Sequence, residues 1–537
     1  MPVSTCHEFE MVIRAMIIAT VTGIISTIMK HSFYKAPIFI LIIVTVIFLF
    51  LLLSTRLELG LVRYFDADEL AYLHWAHNVF TGKLPYIDFF FYVPPGFLWF
   101  LAPVFLFTND TTILSISRVI AFVVFVFLGA VTGLVLKQIR KPTGVMESWW
   151  ILFLPASVLT FLPLPADKML EIRPDNIATL IAFVGLYLQI RWLESQRMAF
   201  AWWSGLAYGA SLLLLPKSLP QIAIAVIVGV FATFGMSKKY SRLVVFMLGI
   251  GLPLCIFGAW ILATSRSIGD VELVMYSLTK LPLEVNKIGQ LFPMQPDLFF
   301  YPNNNYYGVG GWSRELMANH AVWMVGLLVG VWRLVTPLIG GKNKTGAWVE
   351  LLVGGSFLAY IVTFMYGYPL RHAQYLIPIA VFVALYVGDV IWSIWTVIGT
   401  RIWRSVFVLV YAVCIVFLWQ ISEGVNNPKR LWTNAEDVRT LAFALQTIPK
   451  DSYVLDLVGA TIYFRDPAYG CCLPLGQYSP FLSRPVNTLS DGLRRKHPVY
   501  IYQGRLYRLN DISSLDRQYI DEYYQPLTND KTWFIRK

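Results

Sequence analysis

Three carboxylates stand within four positions of the segment Arg63-Tyr-Phe-Asp-Ala-Asp-Glu-Leu-Ala-Tyr72: Asp66, Asp68 and Glu69. Carboxylates are groups that take a proton from, or give one to, a reacting oxygen. These three follow a long apolar stretch at 36–54. Acids cost free energy beside a bilayer, so a cluster there is a functional hypothesis by default. A second acidic stretch, Pro165-Ala-Asp-Lys-Met-Leu-Glu-Ile-Arg-Pro-Asp-Asn176, carries Asp167, Glu171, Arg173 and Asp175. Arg173 can hold a carboxylate or a phosphate in two-pronged fashion. Asp88 stands in an aromatic setting, Pro85-Tyr-Ile-Asp-Phe89. The apolar spacing predicts a helix over 67–80, which puts His74 and His77 on one face. Those two could join a metal site, although no full ligand set accompanies them, and solvated or core-edge histidines are commoner. Plainer roles compete for the acids too. An acid opening a helix offsets its dipole and caps it, which suits Asp175 and one or two of the first three, but explains three acids in four residues less well.

Cations near apolar stretches are few on this side of the chain. Lys217 follows Leu-Leu-Leu-Leu-Pro, and Arg371 and His372 lie in Tyr368-Pro-Leu-Arg-His-Ala-Gln-Tyr375. Snorkelling accounts for Lys217, while a lipid phosphate is a natural partner for such groups. The loop at 264–319 holds Pro302-Asn-Asn-Asn-Tyr-Tyr-Gly308 and Gly-Gly-Trp312 without obvious regular structure. Loops of that length are often lids or binding loops.

The elements that position these residues follow from composition. The 537 residues are 57% hydrophobic and 14% charged, with a mean hydropathy of +0.60; a soluble domain carries about 25% charge. Several stretches reach the ~20 apolar residues that cross a bilayer, which predicts a polytopic α-helical membrane protein. Spans are expected at 36–55, 112–136, 146–163, 176–190, 199–215, 219–236, 243–263, 320–338, 347–364, 375–395 and 404–421. Alternate loops then hold Lys137, Arg140 and Lys141; Arg191 and Arg197; Lys238, Lys239 and Arg242; Lys342 and Lys344; Arg401 and Arg404. Short basic loops face the cytoplasm, so the acidic loops face outward, and the net charge of +11 reflects sidedness rather than nucleic-acid binding. Residues 91–107 are short for a span and carry a Pro-Pro pair near their start, which predicts an interfacial helix; 11–29 reads as an extra span or a surface helix. Cys255 and Cys414 read as small core residues, and the adjacent Cys471 and Cys472 as poor partners for each other, with little case for a metal or disulfide role. Two N-glycosylation patterns, Asn109-Asp-Thr111 and Asn343-Lys-Thr345, are set aside as chance.

Beyond Gln420 the composition changes. Residues 425–537 are rich in charge and alternate a helical pattern at 434–447 with strand-like runs at 453–458, 499–502 and 532–535, which predicts a soluble extracytoplasmic α/β domain. The expected division is thus 1–35, 36–421 and 425–537.

These residues resemble a family. The order Asp68-Glu69, Gly82-Lys-Leu-Pro-Tyr-Ile-Asp88, Pro94-Pro-Gly96, Arg173-Pro-Asp175, Lys217 and Arg371-His-Ala-Gln-Tyr375 is similar to the GT-C glycosyltransferases, in particular glycosyltransferase family 39, which holds protein O-mannosyltransferases and lipid A aminoarabinose transferases. The likeness covers about 36–421. It implies a GT-C fold of about 11–12 membrane helices, and transfer of a sugar from a polyprenyl-phosphate carrier to an acceptor hydroxyl, with inversion, on the outer face of the inner membrane. It also implies Asp68 as general base with Glu69 beside it, and Asp66 as the alternative register. Arg173, Asp175, Glu171 and Asp88 would support the base or the acceptor, and Lys217, Arg371 and His372 would bind the donor phosphate. Metal use varies within this fold, so a divalent ion stays open. The acceptor could be glycan, lipid or protein.

Two other readings start from the same residues: a transporter or flippase for lipid-linked glycans, and a non-catalytic subunit of a glycan-assembly complex. Transporters place charges and broken helices near mid-membrane, whereas the acids here gather at one face.

Overall fold

Each expected span forms a helix. The computed structural model describes residues 36–537 except 238–239, 288–313, 340–343, 369–372, 471, 473–477, 485–488, 505–506 and 530. Among the described residues the first helix, α1, is Ala36–Val62, followed by α2 (Ala67–Phe80), α3 (Gly96–Leu101), α4 (Thr112–Arg140), α5 (Val145–Phe161), α6 (Pro163–Met169), α7 (Pro174–Ser195), α8 (Met198–Leu214), α9 (Leu219–Ala232) and α10 (Tyr240–Thr264). Next come α11 (Ile268–Thr279), α12 (Leu281–Asn286), α13 (Arg314–Ile339), α14 (Lys344–Val362), α15 (Ile377–Val397) and α16 (Arg401–Asn426). Among the described residues nine helices are long and apolar enough to cross a membrane, while α5 and α8 are shorter apolar helices. The chain is a multi-pass membrane protein.

Apolar length makes these helices, and small residues let them approach. A Cβ at Gly205 of α8 would lie 2.1 Å from the Phe246 carbonyl of α10, and one at Gly249 would lie 2.6 Å from the Trp202 carbonyl. Two glycines thus bring two backbones together, as is usual where no hydrophobic force separates helix from lipid. The end of the bundle that carries the basic loops is tied by ions. Asp389 of α15 receives Arg140 from α4 and Arg333 from α13; Lys141 reaches Glu194 of α7 at 2.9 Å.

Within the stretch expected as an interfacial helix, Gly96–Leu101 forms α3 and Ala102–Leu106 a tight turn. Segment 11–29 lies outside the described residues. The stretch at 268–286 corrects an expectation: it is helical, because Ser267 caps α11 by accepting from Asp270 N and Val274, Leu281 and Val285 are buried. The Asn- and Gly-rich motifs at 302–312 lie outside the described residues. Cys255 and Cys414 are exposed free thiols rather than core residues. Cys472 is disulfide-bonded, also against expectation.

After α16 the chain forms α17 (Ala435–Thr447), β1 (Val454–Asp456), α18 (Leu489–Lys496), β2 (Tyr500–Tyr502), α19 (Ser514–Tyr523), β3 (Tyr524–Pro526) and β4 (Trp533–Arg536). The sheet order is β1-β2-β4-β3, with β1 parallel to β2 and the other pairs antiparallel. Leu455, Leu493, Ile501, Ile520 and Phe534 fill its own small core. The other face of this region packs on α2 and on the aromatic residues of 86–105.

Candidate active site

The acids at 66–69 divide into different tasks as soon as α2 begins. Asp66 is the N-cap: its carboxylate accepts from Asp68 N at 3.0 Å, and Glu69 returns the favour by accepting from Asp66 N at 3.0 Å. This reciprocal capping box satisfies two otherwise orphaned donors. Glu69 points inward and is fully buried; it accepts from Arg118 Nη2 at 2.6 Å and from Ile172 N at 2.8 Å. Burial pushes its carboxyl up, against the pull of Arg118. Asp68 turns the other way and is 58% exposed.

The second acidic loop closes on this turn. Glu171 is completely buried and receives Lys168 at 2.7 Å, Arg63 at 2.7 Å and Arg173. Burial alone would raise its carboxyl; Arg173, Arg63 and Lys168 more than reverse that and hold it well below the usual range. Arg173 then reaches across to Asp68 Oδ2 at 2.8 Å and to Asp66 Oδ1 at 3.3 Å. The protein crowded around Asp68 raises its carboxyl, but Arg173, by charge and hydrogen bond, and Arg508 lower it further, so Asp68 is ionised below the ordinary carboxylate range. A buried network of this kind fixes geometry because each lost partner leaves a charge uncompensated.

Asp175 lies in the first turn of α7 and accepts Lys217 Nζ at 2.8 Å. The same ammonium sits 3.8 Å from the centroid of the Tyr375 ring. Around it a small cleft is lined by Asp175, Thr179, Lys217, Tyr360, Tyr368 and Tyr375. A lysine ammonium has three donors, so one bond to Asp175 leaves capacity for an anion in the cleft. Tyr72, Tyr92 and Tyr478 also gather at Asp68; burial raises each phenol first, and the nearby carboxylate adds to it. Aromatic walls of this kind suit stacking against a sugar.

The C-terminal region is clamped to the helix that bears Asp68. His74 Nε2 and Asn78 Nδ2 both meet Asp466 Oδ2, at 2.8 and 3.1 Å. Phe65 N donates to Asp437 Oδ2 at 3.0 Å, Asn434 Nδ2 to Leu61 O at 2.6 Å, and Tyr463 OH to Asp110 O at 2.8 Å. Gly459 has φ +89° and sits so close to α2 that a Cβ would lie 2.8 Å from the Ala71 Cα; both features require glycine.

The structure thus brings together Asp66, Asp68, Glu69, Glu171, Arg173, Asp175 and Lys217. Asp88 has contacts of its own: its carboxylate accepts from Leu84 N at 2.8 Å and pairs with Arg266 at 3.1 Å. Arg371 and His372 lie outside the described residues. His77 has a different setting from His74. It stands edge-on to Phe105 and Tyr463, with ring centroids 5.1 and 5.3 Å away, and burial lowers it to about 4. His74, Asp466 and Cys472 do place three ligand-type atoms within 4.8 Å, so an ion could be held there once the thiol is free; with Cys472 in its disulfide the cluster offers two ligands. Sequence reasoning missed Arg118, Lys168, Tyr72, Tyr92, Tyr478 and Arg508. For Arg118 a signal existed, since a charge inside an apolar stretch demands a partner. Arg56 and Asp389 also lie on apolar helices; Arg56 pairs with Asp167 at 2.6 Å at the acidic end of α1, and Asp389 with Arg140 and Arg333 at the basic end.

No protein-family model and no curated protein sequence matches the chain. Solved structures do. ArnT from Cupriavidus metallidurans in the apo state superposes with a TM-score of 0.53 at 11% identity, over 91% of this chain and 97% of that one. The same protein bound to undecaprenyl phosphate gives 0.52 at 12% identity, over the same shares. The archaeal oligosaccharyltransferase AglB from Archaeoglobus fulgidus, solved with an inhibitory peptide and a dolichol-phosphate, gives 0.49 at 11% identity, over 94% of this chain and 75% of that one. The chain shares the fold of ArnT, a bundle of membrane helices followed by a C-terminal region with a sheet, which is the fold that the sequence resemblance implies.

Proposed function

We propose that this chain is a membrane glycosyltransferase that moves a sugar from a polyprenyl-phosphate carrier to an acceptor hydroxyl, with Asp68 as general base. The observation that carries this reading is the pairing of Asp68 with Arg173: two acidic loops meet at one end of the bundle around a single exposed, ionised carboxylate. The undecaprenyl phosphate bound by the similarly folded ArnT supports the carrier class.

In the proposed reaction the acceptor oxygen attacks the anomeric carbon while the bond from that carbon to the phosphate oxygen breaks. The phosphate leaves with the bonding electrons, and the acceptor's proton passes to Asp68. An in-line displacement inverts the anomeric centre. Arg173 keeps Asp68 ionised and aimed, with Glu69 and Glu171 holding the two loops that carry the pair. Lys217 takes the charge that develops on the departing phosphate; Asp175 fixes that ammonium in place. The tyrosines form the walls for the sugar.

The basic loops occupy the opposite end of the bundle, which under the positive-inside rule supports a site on the extracytoplasmic face. The transporter reading fares less well, because the buried charges Arg56 and Arg118 are paired at the acidic end rather than at mid-membrane. The test is sugar transfer by the purified protein from defined polyprenyl-phosphate sugars, with Asp68→Asn as control.

A further inference from the structure

The C-terminal region delivers a cation to the edge of the site that the mechanism above does not use. The carboxylate of Asp456, at the end of β1, accepts from Val458 N, Gly459 N and Thr461 N at 2.6–2.7 Å and from Thr461 Oγ1 at 2.8 Å. That fixes the loop that seats Gly459 on Ala71, in the turn of α2 next to Asp68. Arg508 is pinned to the same loop: its Nη1 donates to Leu457 O at 2.6 Å and to Cys472 O at 2.9 Å. Neutral carbonyls hold one nitrogen of the guanidinium, and among the described residues no carboxylate lies within ion-pair distance of it. Asp68 is the carboxylate whose charge acts on it most strongly. The guanidinium has five donors in a fixed fork, and these two bonds use Nη1 alone, so the fork has capacity for an anion that arrives beside it.

We infer that Arg508 is an acceptor-binding residue and that the acceptor carries an anionic group, phosphate or carboxylate, beside the hydroxyl that is glycosylated. This rests on the proposed reaction. In an in-line displacement the base and the leaving phosphate lie on opposite sides of the anomeric carbon. A cation beside the base therefore faces the acceptor, and Lys217 in its own cleft faces the carrier phosphate. A guanidinium with one nitrogen already anchored is pre-organised, so little freedom is lost when the rest of its fork binds.

The test is direct titration of the full-length protein in detergent with glycerol 1-phosphate, with glycerol as neutral control and a short-chain prenyl phosphate as carrier mimic. Wild type, Arg508→Gln and Arg508→Lys are compared, with melting temperatures to verify folding. A lost charge-assisted hydrogen bond should weaken glycerol 1-phosphate binding by about tenfold or more in Arg508→Gln, with Arg508→Lys in between and prenyl phosphate binding unchanged. Equal glycerol 1-phosphate affinity in wild type and a folded Arg508→Gln overturns the inference. So does an equal loss of prenyl phosphate binding, which would place Arg508 on the carrier. Because binding is read without turnover, failure of sugar transfer with Arg508-dependent binding intact would count against the transferase reading alone.

Discussion

Arg173 Nη1 meets Asp68 Oδ2 at 2.8 Å, across 105 residues of sequence. One side chain thereby joins the loop after α1 to the loop before α7 and sets the protonation state of the most exposed carboxylate in the cluster.

The pH dependence of Asp68 follows from that bond. Its carboxyl lies below the ordinary 3.8 because Arg173 and Arg508 outweigh the surrounding protein. A carboxyl lowered in the folded state contributes stability that is present above the unfolded value and is lost as pH falls through the folded one. Activity that needs ionised Asp68 should therefore persist down to pH values below about 3.8 wherever the protein stays folded. In Arg173→Gln the acidic limb of kcat/KM should move upward, toward or above the ordinary carboxylate value. A limb unmoved by that substitution would show that another group titrates there.

Glu69 is a structural anchor by its contacts, since it is buried and receives Arg118, Ile172 N and Asp66 N. Glu69→Gln leaves Arg118 as an uncompensated buried charge, which should cost about 3–5 kcal/mol. A drop in thermal stability checks this, and Asp68→Asn, whose side chain is exposed, should show a much smaller one.

Gly459→Ala tests the docking of the C-terminal region. Alanine there meets the α2 backbone and takes up a left-handed φ, and overpacking of this kind costs about 1–3 kcal/mol. The variant should release the C-terminal region to protease faster than wild type and should lower transfer, because Arg508 and Tyr478 reach the site from that region.

Lys217→Met should weaken binding of a short-chain prenyl phosphate by about 10- to 100-fold, measured by titration. Glycerol 1-phosphate binding should be unaffected.

Much of this was legible in the sequence, for identifiable reasons. Helices such as α1 and α4 are apolar over their full length, so hydropathy finds them, and the basic loops mark one end of the bundle. The acids at 66–69 and 167–175 were visible as clusters. Which of them would touch was not, because Arg173 reaches Asp68 through the third dimension and no local spacing records it. The division of labour among Asp66, Asp68 and Glu69 depends on a capping box that turns Asp68 outward and Glu69 inward. Asp88, aromatic neighbours notwithstanding, serves a turn and Arg266. The contribution of Arg508 needed both the fold of the sheet and its docking on α2, which sequence periodicity does not specify.

The most direct test of the central claim is sugar transfer by the purified protein from a panel of polyprenyl-phosphate sugars, with donor loss and product formation measured for wild type and Asp68→Asn. The account predicts one or a few donors consumed by wild type, an inverted product, and a rate at least about 10²–10⁴-fold lower in the folded variant. Equal donor consumption by the two proteins, or none by a folded wild type across the panel with a broad acceptor mixture, would contradict it.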